Sequence, residues 1–273
     1  MPLTLTLRTP TSIPLEVDTV KLETVREQSA DQVKATLIQR GNRQVTVGEF
    51  FEVTGSAADD ETVVWQGDCS KVKLIGSHLT TGTIIVEGNA GMHLGAEMSG
   101  GSITVTGDAG DWVGAEMHGG RIRVKGNAGH LVGGVYRGGR KGMTNGEILI
   151  DGNAGNEIGH AMRRGLIAIG GRAGDAAGVS MIAGTIVIAG ETGIRYGIGM
   201  KRGSIVLLGD DPPEMLPTFK HSGTYRPTII RVLLRHLDRL GWSVPAGSLD
   251  ATYQRFLGDF LELGKGEILT SVA

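Results

Sequence analysis

A single cysteine, Cys69, stands in the 273-residue chain, which excludes an internal disulfide framework and points to a reducing compartment. Aromatic side chains are also scarce, with five Phe, four Tyr and three Trp, so a core of this size must come from aliphatic residues. Neither sign of charge dominates: a formal net charge of −2 leaves no electrostatic footprint for nucleic acid. No apolar run approaches the length of a membrane span. The opening MPLTLTLRTP has no charged segment followed by a long apolar run, so no secretory signal is expected. These absences predict a cytoplasmic protein without nucleic-acid or membrane partners.

Glycine is what the chain has in abundance, 45 residues of it, and its spacing is regular. From Gly82 to about Gly209 a unit recurs, starting at Gly82, Gly101, Gly120, Gly146, Gly165, Gly184 and Gly203, every nineteen residues except for seven extra in the third. Each unit carries β-branched residues two and four places on, such as Ile84 and Val86, Ile103 and Val105, or Ile186 and Ile188. Period-two alternation of such residues marks a strand with one buried face. The following Gly-Asn-Ala-Gly segments (Gly88 to Gly91, Gly126 to Gly129, Gly152 to Gly155) are expected to supply corners of positive φ. A fixed period near twenty without helix signals means stacked coils. The fold class is therefore all-β, a parallel β-helix of about seven coils, roughly 30 Å long at the spacing of adjacent strands.

Two ladders follow. One is glycine, at Gly95, Gly114, Gly133, Gly159, Gly178 and Gly197, read as a tight corner; the other, facing inward, is Met98, Met117, Tyr136, Met162, Met181, Met200 and Phe219. Soft thioethers and rings filling irregular core space explain the second. Leu216 and Pro212 break the pattern, so the coils should end near Gly209.

The flanks are less regular. Leu3, Leu5 and Leu7 read as a first strand, Ser29 to Arg40 as a short capped helix, and Gly48 to Gly55 and Val63 to Gly67 as entry strands. Residues 1–60 are expected to form a small N-terminal cap with entry strands, 61–209 the β-helix, and 210–273 a linker with a helical appendage. In that appendage Pro227 to Leu240 and Asp250 to Leu263 both carry helical periodicity. The outward strand positions change from Arg121, Arg123 and Lys125 to Leu166, Ala168, Val187, Ala189, Val206 and Leu208. Such a gradient marks a covered surface, covered either by the two C-terminal helices or by a partner protein.

Candidate chemistry is thin. Glu97 and Glu116 share a place in successive coils with His118 beside them, and His93 and Glu157 share another. Acid–base work or metal binding competes here with a plain solvated corner, and no spacing has the specificity of a zinc signature. The seven-residue insertion, read as Gly139 to Asn145, brings Arg140 and Lys141 near Arg137, and Arg163, Arg164, Lys201 and Arg202 extend a basic rim. A long loop on a regular wall is often functional, as a docking point or an anion contact; the competing reading is a solvated edge. A stand-alone β-helix enzyme acting on polysaccharide would need clustered carboxylates and aromatic platforms, which this composition does not favour.

The segments GNAGMHLGAEMSGGSITVTGDAGDWVGAEMHGG, with GNRQVTVGEFFEVTG and GDCSKVKLIG before them, resemble the C subunit of formylmethanofuran dehydrogenase. That family is related in fold to the C-terminal β-helix domain of the glutamate synthase large subunit. The likeness covers about Val17 to Tyr225 in order, spacing and the interrupted third unit. It implies a right-handed β-helix that is not itself catalytic, binds no cofactor or metal, and docks an amidohydrolase-like subunit. In one setting of this family a molybdenum or tungsten enzyme reduces carbon dioxide onto methanofuran. In the other, a formyltransferase/hydrolase complex moves formyl from tetrahydromethanopterin to a methanofuran-type coenzyme and releases formate, with a formyltransferase and a further subunit as partners. The Ala-, Thr- and Arg-rich texture and the single Cys favour the second. If the coenzyme tail is rich in glutamate, as in this family, Arg137, Arg140 and Lys141 are the expected contacts to it by charge complementarity.

Overall fold

The computed structural model describes residues 1–272. The chain begins with β1 (Leu3–Leu7), β2 (Leu15–Glu16), α1 (Leu22–Val25), α2 (Ala30–Lys34), β3 (Leu37–Arg40), β4 (Arg43–Thr46), α3 (Val47–Phe50) and β5 (Phe51–Thr54). The repeating part contributes β6 (Thr62–Gln66), β7 (Val72–Lys73), β8 (Thr83–Glu87), β9 (Ser102–Val105), β10 (Arg121–Val124), β11 (Glu147–Ile150), β12 (Leu166–Ile169), β13 (Thr185–Ile188) and β14 (Arg202–Leu207). After it come β15 (Lys220–Tyr225), α4 (Thr228–Arg239), β16 (Thr252–Gly258) and β17 (Lys265–Val272). The protein is mostly β: a 13-stranded sheet, a 4-stranded sheet formed by β4, β3, β2 and β7, and a few helices.

The glycine-paced units form the centre of the large sheet. Strands β6 and β8 to β14 pair in parallel in that order, so that Ile103, Ile122, Ile148, Ile167, Ile186 and Ile205 stand in one file. A second file of single-residue parallel bridges joins Cys69, Ala90, Ala109, Ala128, Ala154, Ala173 and Thr192. Both files are buried. Burial pushes the Cys69 thiol up to about 12, helped by the Asp68 charge, so it stays protonated and inert.

The corner residues work differently from the expectation. The Asn and Asp side chains there serve as rungs between units: Asn89 Oδ1 accepts from Asp108 N (2.9 Å), Asp108 Oδ1 from Asn127 N (2.7 Å) and Asn127 Oδ1 from Asn153 N (2.9 Å). Among these segments Gly88 alone takes positive φ (136°); it recurs instead at the unit-opening glycines, such as Gly101 (72°), and at alternate residues further on, as at His93, Gly95 and Glu97 (64°, 61° and 56°) and at Trp112, Gly114 and Glu116 (58°, 61° and 50°). Only the middle place demands glycine. A Cβ on Gly114 would lie 2.5 Å from Ile148 Cδ1 in the core, whereas one on Gly199, at a flanking place, meets nothing closer than 3.4 Å. Non-glycine residues held in this region carry about 1–2 kcal/mol of strain each, sustained because the paired units on either side over-determine the backbone.

Three sequence expectations need correction. Met143, fully buried, occupies the place in the methionine ladder that the period assigns to Tyr136: Met143 N donates to Gly133 O (2.9 Å), and Arg163 N donates to Met143 O (2.8 Å). The seven extra residues are thus 136–142, three places earlier than expected, and Tyr136 lies outside the core. Second, the C-terminal appendage holds one long helix, α4, and not two. The stretch from Asp250 to Leu263 contains the strand β16, which sits between β15 and β17, and β17 continues the parallel file by pairing with β14, Ile268 against Ile205. Third, helix α2 ends at Lys34 and Leu37–Arg40 is a strand, while Val47–Phe50 is a helical turn ahead of β5, which pairs antiparallel with β1. Ser29 caps α2 through a full capping box, as its sequence signature requires.

Helix α4 covers the apolar outward strip. Ile230, Leu234 and Leu237, at helical spacing, pack with Trp242 and Tyr253 onto Leu149, Leu166, Ala168, Val187, Val206 and Leu208. Gly241 at φ 75° follows the helix, as a C-terminal cap favours. The polar beginning of the strip anchors the helix end. Arg123 donates to Leu240 O (2.6 Å), Gly241 O (2.7 Å) and both Asp151 carboxylate oxygens (3.1 and 3.0 Å), and Glu147 bonds both Arg121 and His236 of α4.

Candidate functional site

The inserted loop, residues 136–142, lies on the wall at the left-handed corner. Side chains at the corner point outward, so His93 and Trp112, at the same place of successive units, stack at 5.4 Å between ring centroids. Tyr136 reaches back over them, its hydroxyl 3.0 Å from His93 Nδ1 and its ring 6.3 Å from that of Trp112. Glu116 Oε1 accepts from Tyr136 N (3.0 Å). Gly142 N donates to Ala161 O (3.0 Å) at the far end of the loop. Two side chains of the wall therefore hold the loop's first residue, and the next unit holds its last.

Protonation states follow from this packing. Burial, with the nearby charges of Glu97 and Glu116, pushes the Tyr136 phenol up to about 12, so the hydroxyl keeps its proton and donates it. Burial, seconded by Lys73, lowers His93 from its usual value, leaving Nδ1 free to accept near neutrality. The pair is a neutral hydrogen bond inside a small aromatic cluster.

A cavity of about 440 Å³ opens between loop and wall, lined by Trp112, Leu131, Tyr136, Arg137, Glu157 and His160. His160 Nδ1 lies 3.2 Å from Glu157 Oε2 but lacks hydrogen-bond geometry to it. Arg137, Arg140 and Lys141 all sit on the loop and are exposed. They form no ion pair with the described residues. The loop thus presents three unneutralised positive charges on a clasped support.

The candidate acid–base residues each take a different partner. His93 joins Tyr136, Glu116 holds the loop, His118 Nδ1 bonds Thr144 Oγ1 (2.8 Å), and Glu97 lies 3.9 Å from His78. Among the described residues no three His, Cys, Asp or Glu side chains are grouped as metal ligands. Sequence reasoning does not reach Tyr136, Trp112 and His160 as site residues. The one available signal is a tyrosine at the insertion point of a unit whose counterparts carry methionine.

Comparison places this architecture. Residues 70–216 match the model of the GXGXG motif family, and the chain belongs to that family. The resemblance to the formylmethanofuran dehydrogenase C subunits holds as well. The chain is 39% identical over 83 residues to the C subunit of molybdenum-containing formylmethanofuran dehydrogenase 1 of Methanothermobacter marburgensis, 30% of this chain and 21% of that one. It is 42% identical over 86 residues to the C subunit of tungsten-containing formylmethanofuran dehydrogenase 2 of Methanothermobacter wolfeii, 30% of this chain and 32% of that one. These alignments span only a fifth to a third of the relatives' length. A solved chain aligns throughout: one from the crystal structure of the formyltransferase/hydrolase complex (FhcABCD) of Methylorubrum extorquens in complex with methylofuran, with TM-score 0.90 and 33% identity over 99% of this chain and 100% of that one.

Proposed function

We propose that this chain is the non-catalytic structural subunit of a formyltransferase/hydrolase complex in one-carbon metabolism. That complex transfers formyl from tetrahydromethanopterin to a methanofuran-type coenzyme and releases formate, as a step of formaldehyde oxidation. The observation that carries this reading is the end-to-end match to a chain of such a complex at TM-score 0.90. The alternative, the C subunit of a molybdenum or tungsten dehydrogenase, draws on relatives aligned over about a third of the chain, so the full-length match favours the hydrolytic assembly.

In this reading residues 61–209 are a right-handed β-helix of about seven coils. The parallel register of nineteen-residue units and the second file of bridges support that winding. Residues 1–60 form its N-terminal cap and 210–273 its C-terminal appendage. The partners are an amidohydrolase-like subunit, a formyltransferase subunit and a further subunit, assembled in the cytoplasm; no helix among the described residues is long and apolar enough to cross a membrane. The chain itself holds no cofactor. Arg137, Arg140 and Lys141 guide the anionic tail of the coenzyme bound within the complex, because the clasped loop presents their charges outside any ion pair among the described residues.

Two measurements test this. Tagged chain expressed in its native background should co-elute with formyltransferase and amidohydrolase-like subunits; a lone monomer with hydrolytic activity of its own would overturn the assignment. Reversing charge at Arg140 and Lys141 should raise KM for the coenzyme about tenfold in the assembled complex without altering the melting curve, and unchanged kinetics would remove the loop's role.

A further inference from the structure

The turn joining β16 to β17 is rigidly built and yet displays apolar side chains to water. Asp259, 2% exposed, organises it. Its Oδ2 accepts from Gly199 N and its Oδ1 from Leu261 N, both at 3.0 Å, and its carbonyl accepts from Glu262 N and Gly264 N, both at 3.0 Å. Phe260 N donates to Thr218 O (3.1 Å). A turn bonded this fully does not collapse to hide its side chains, and Phe260, Leu261 and Leu263 are 52%, 82% and 54% exposed. Large apolar groups held together at a surface mark an interaction site.

The surroundings of the turn are basic. Leu263 shares a groove of about 210 Å³ with Arg163, Arg164, Lys201 and Arg202, and the Lys220 ammonium lies 5.7 Å from the centre of the Phe260 ring. Lys201 reaches Glu262 at 3.8 Å. Arg163, Arg164 and Arg202 take part in no ion pair among the described residues. The whole chain is slightly acidic, so this positive field is local to the turn.

We infer that the turn and its basic groove dock an acidic, apolar-centred face of a partner protein in the same assembly. Leu261 inserts among the partner's apolar side chains, and the partner's carboxylates pair with Arg163, Arg164 and Arg202. Arginine suits that task because its planar fork binds carboxylates in pairs of hydrogen bonds. Exposed leucines, one of them sharing a groove with arginines, match the anatomy of a small interface centre, apolar in the middle and charged at the rim. The inference rests on the assembly reading above and assigns the part of this chain that makes the contact.

The test uses the tagged full chain co-expressed with the other members of its complex and separated by size exclusion. Leu261→Asp, and the double variant Arg163→Glu with Arg202→Glu, should each lower the fraction of chain found in the assembly at least tenfold. Circular dichroism of the isolated variants should match the unmodified chain, since all three side chains are exposed. Ile229→Asp, which alters an exposed apolar residue on α4, should assemble normally. Normal assembly of the turn variants overturns the inference while leaving the complex intact, and so does equal loss in all three. An unmodified chain that elutes alone removes the assembly reading and this inference with it.

Discussion

Truncating Arg123 should release the C-terminal helix from the wall while the wall stays folded. The guanidinium, 21% exposed, donates to the carbonyls of Leu240 and Gly241 at the end of α4 and to both oxygens of Asp151. Hydrogen bonds from a charged donor contribute about 1.5–3 kcal/mol each when their acceptors are not free to turn to water. The Asp151 pair is partly solvated and is discounted accordingly. Counting the two carbonyl bonds at the low end gives about 3 kcal/mol for Arg123→Ala, or roughly a hundredfold rise in the population in which α4 is lifted. Amide hydrogen exchange reads that population directly. Amides of residues 230–242 should lose about two orders of magnitude of protection, with those of β8 to β10 unchanged. Arg123→Lys, which keeps the charge and loses the fork, should fall between. Protection of α4 unaltered in a folded Arg123→Ala chain would refute the anchoring argument and leave the apolar contact of Leu234 and Leu237 as the whole attachment.

The remaining predictions concern the wall and the loop. Gly114→Ala should cost about 2–4 kcal/mol in urea denaturation, from strain at φ 61° and from crowding of Ile148 Cδ1; a change below about 1 kcal/mol would show that the isoleucine file yields easily. Tyr136→Phe removes the bond to His93 at a cost of about 1 kcal/mol and should speed tryptic cleavage after Arg137, Arg140 and Lys141 several-fold, with identical cleavage curves contradicting the clasp. Burial alone would raise the Glu147 carboxyl, but the hydrogen bonds from His236 and Arg121 outweigh it and bring it below its usual 4.5. Its stabilising contribution is therefore complete above about pH 4.5 and is lost as pH falls through the lower folded value. Glu147→Gln should flatten the acid limb of the urea midpoint against pH, and a limb of unchanged slope would exclude this group as its source.

The sheet's central units are legible in the sequence because their physical demand repeats. A β-branched pair facing inward and a glycine under the isoleucine file must reappear every nineteen residues, and Ile148, Ile167 and Ile186 do. The covering of the outward strip is legible from Leu166, Val187 and Val206 for the same reason, though not which element covers it. Counting by period assigns Tyr136 to the methionine file, and nothing local says that the extra residues begin there rather than at Gly139. Strand β16 imitates a helix because Tyr253 faces the α4 side and Phe256 packs toward the main core. A strand apolar on both faces matches helical spacing over a few residues, and its real partners, β15 and β17, lie outside the segment. The His93–Tyr136 contact joins residues 43 apart, and no pattern within one unit announces it.

The strand that extends the parallel file beyond β14 is β17, brought back from residues 265–272 after the chain has first made α4 and β16. During synthesis the units preceding it can form in the order in which they leave the ribosome, yet the row from Leu149 to Leu208 then waits, uncovered, for about thirty residues until α4 is made, and the edge of β14 waits for about sixty. For that interval the nascent protein carries an open strand edge at β14 and a greasy flank beside it, the combination most prone to sticking to its own kind. Yield in a foreign host should therefore depend on translation speed across residues 209–265 and on chaperone supply more than on the stability of the finished molecule.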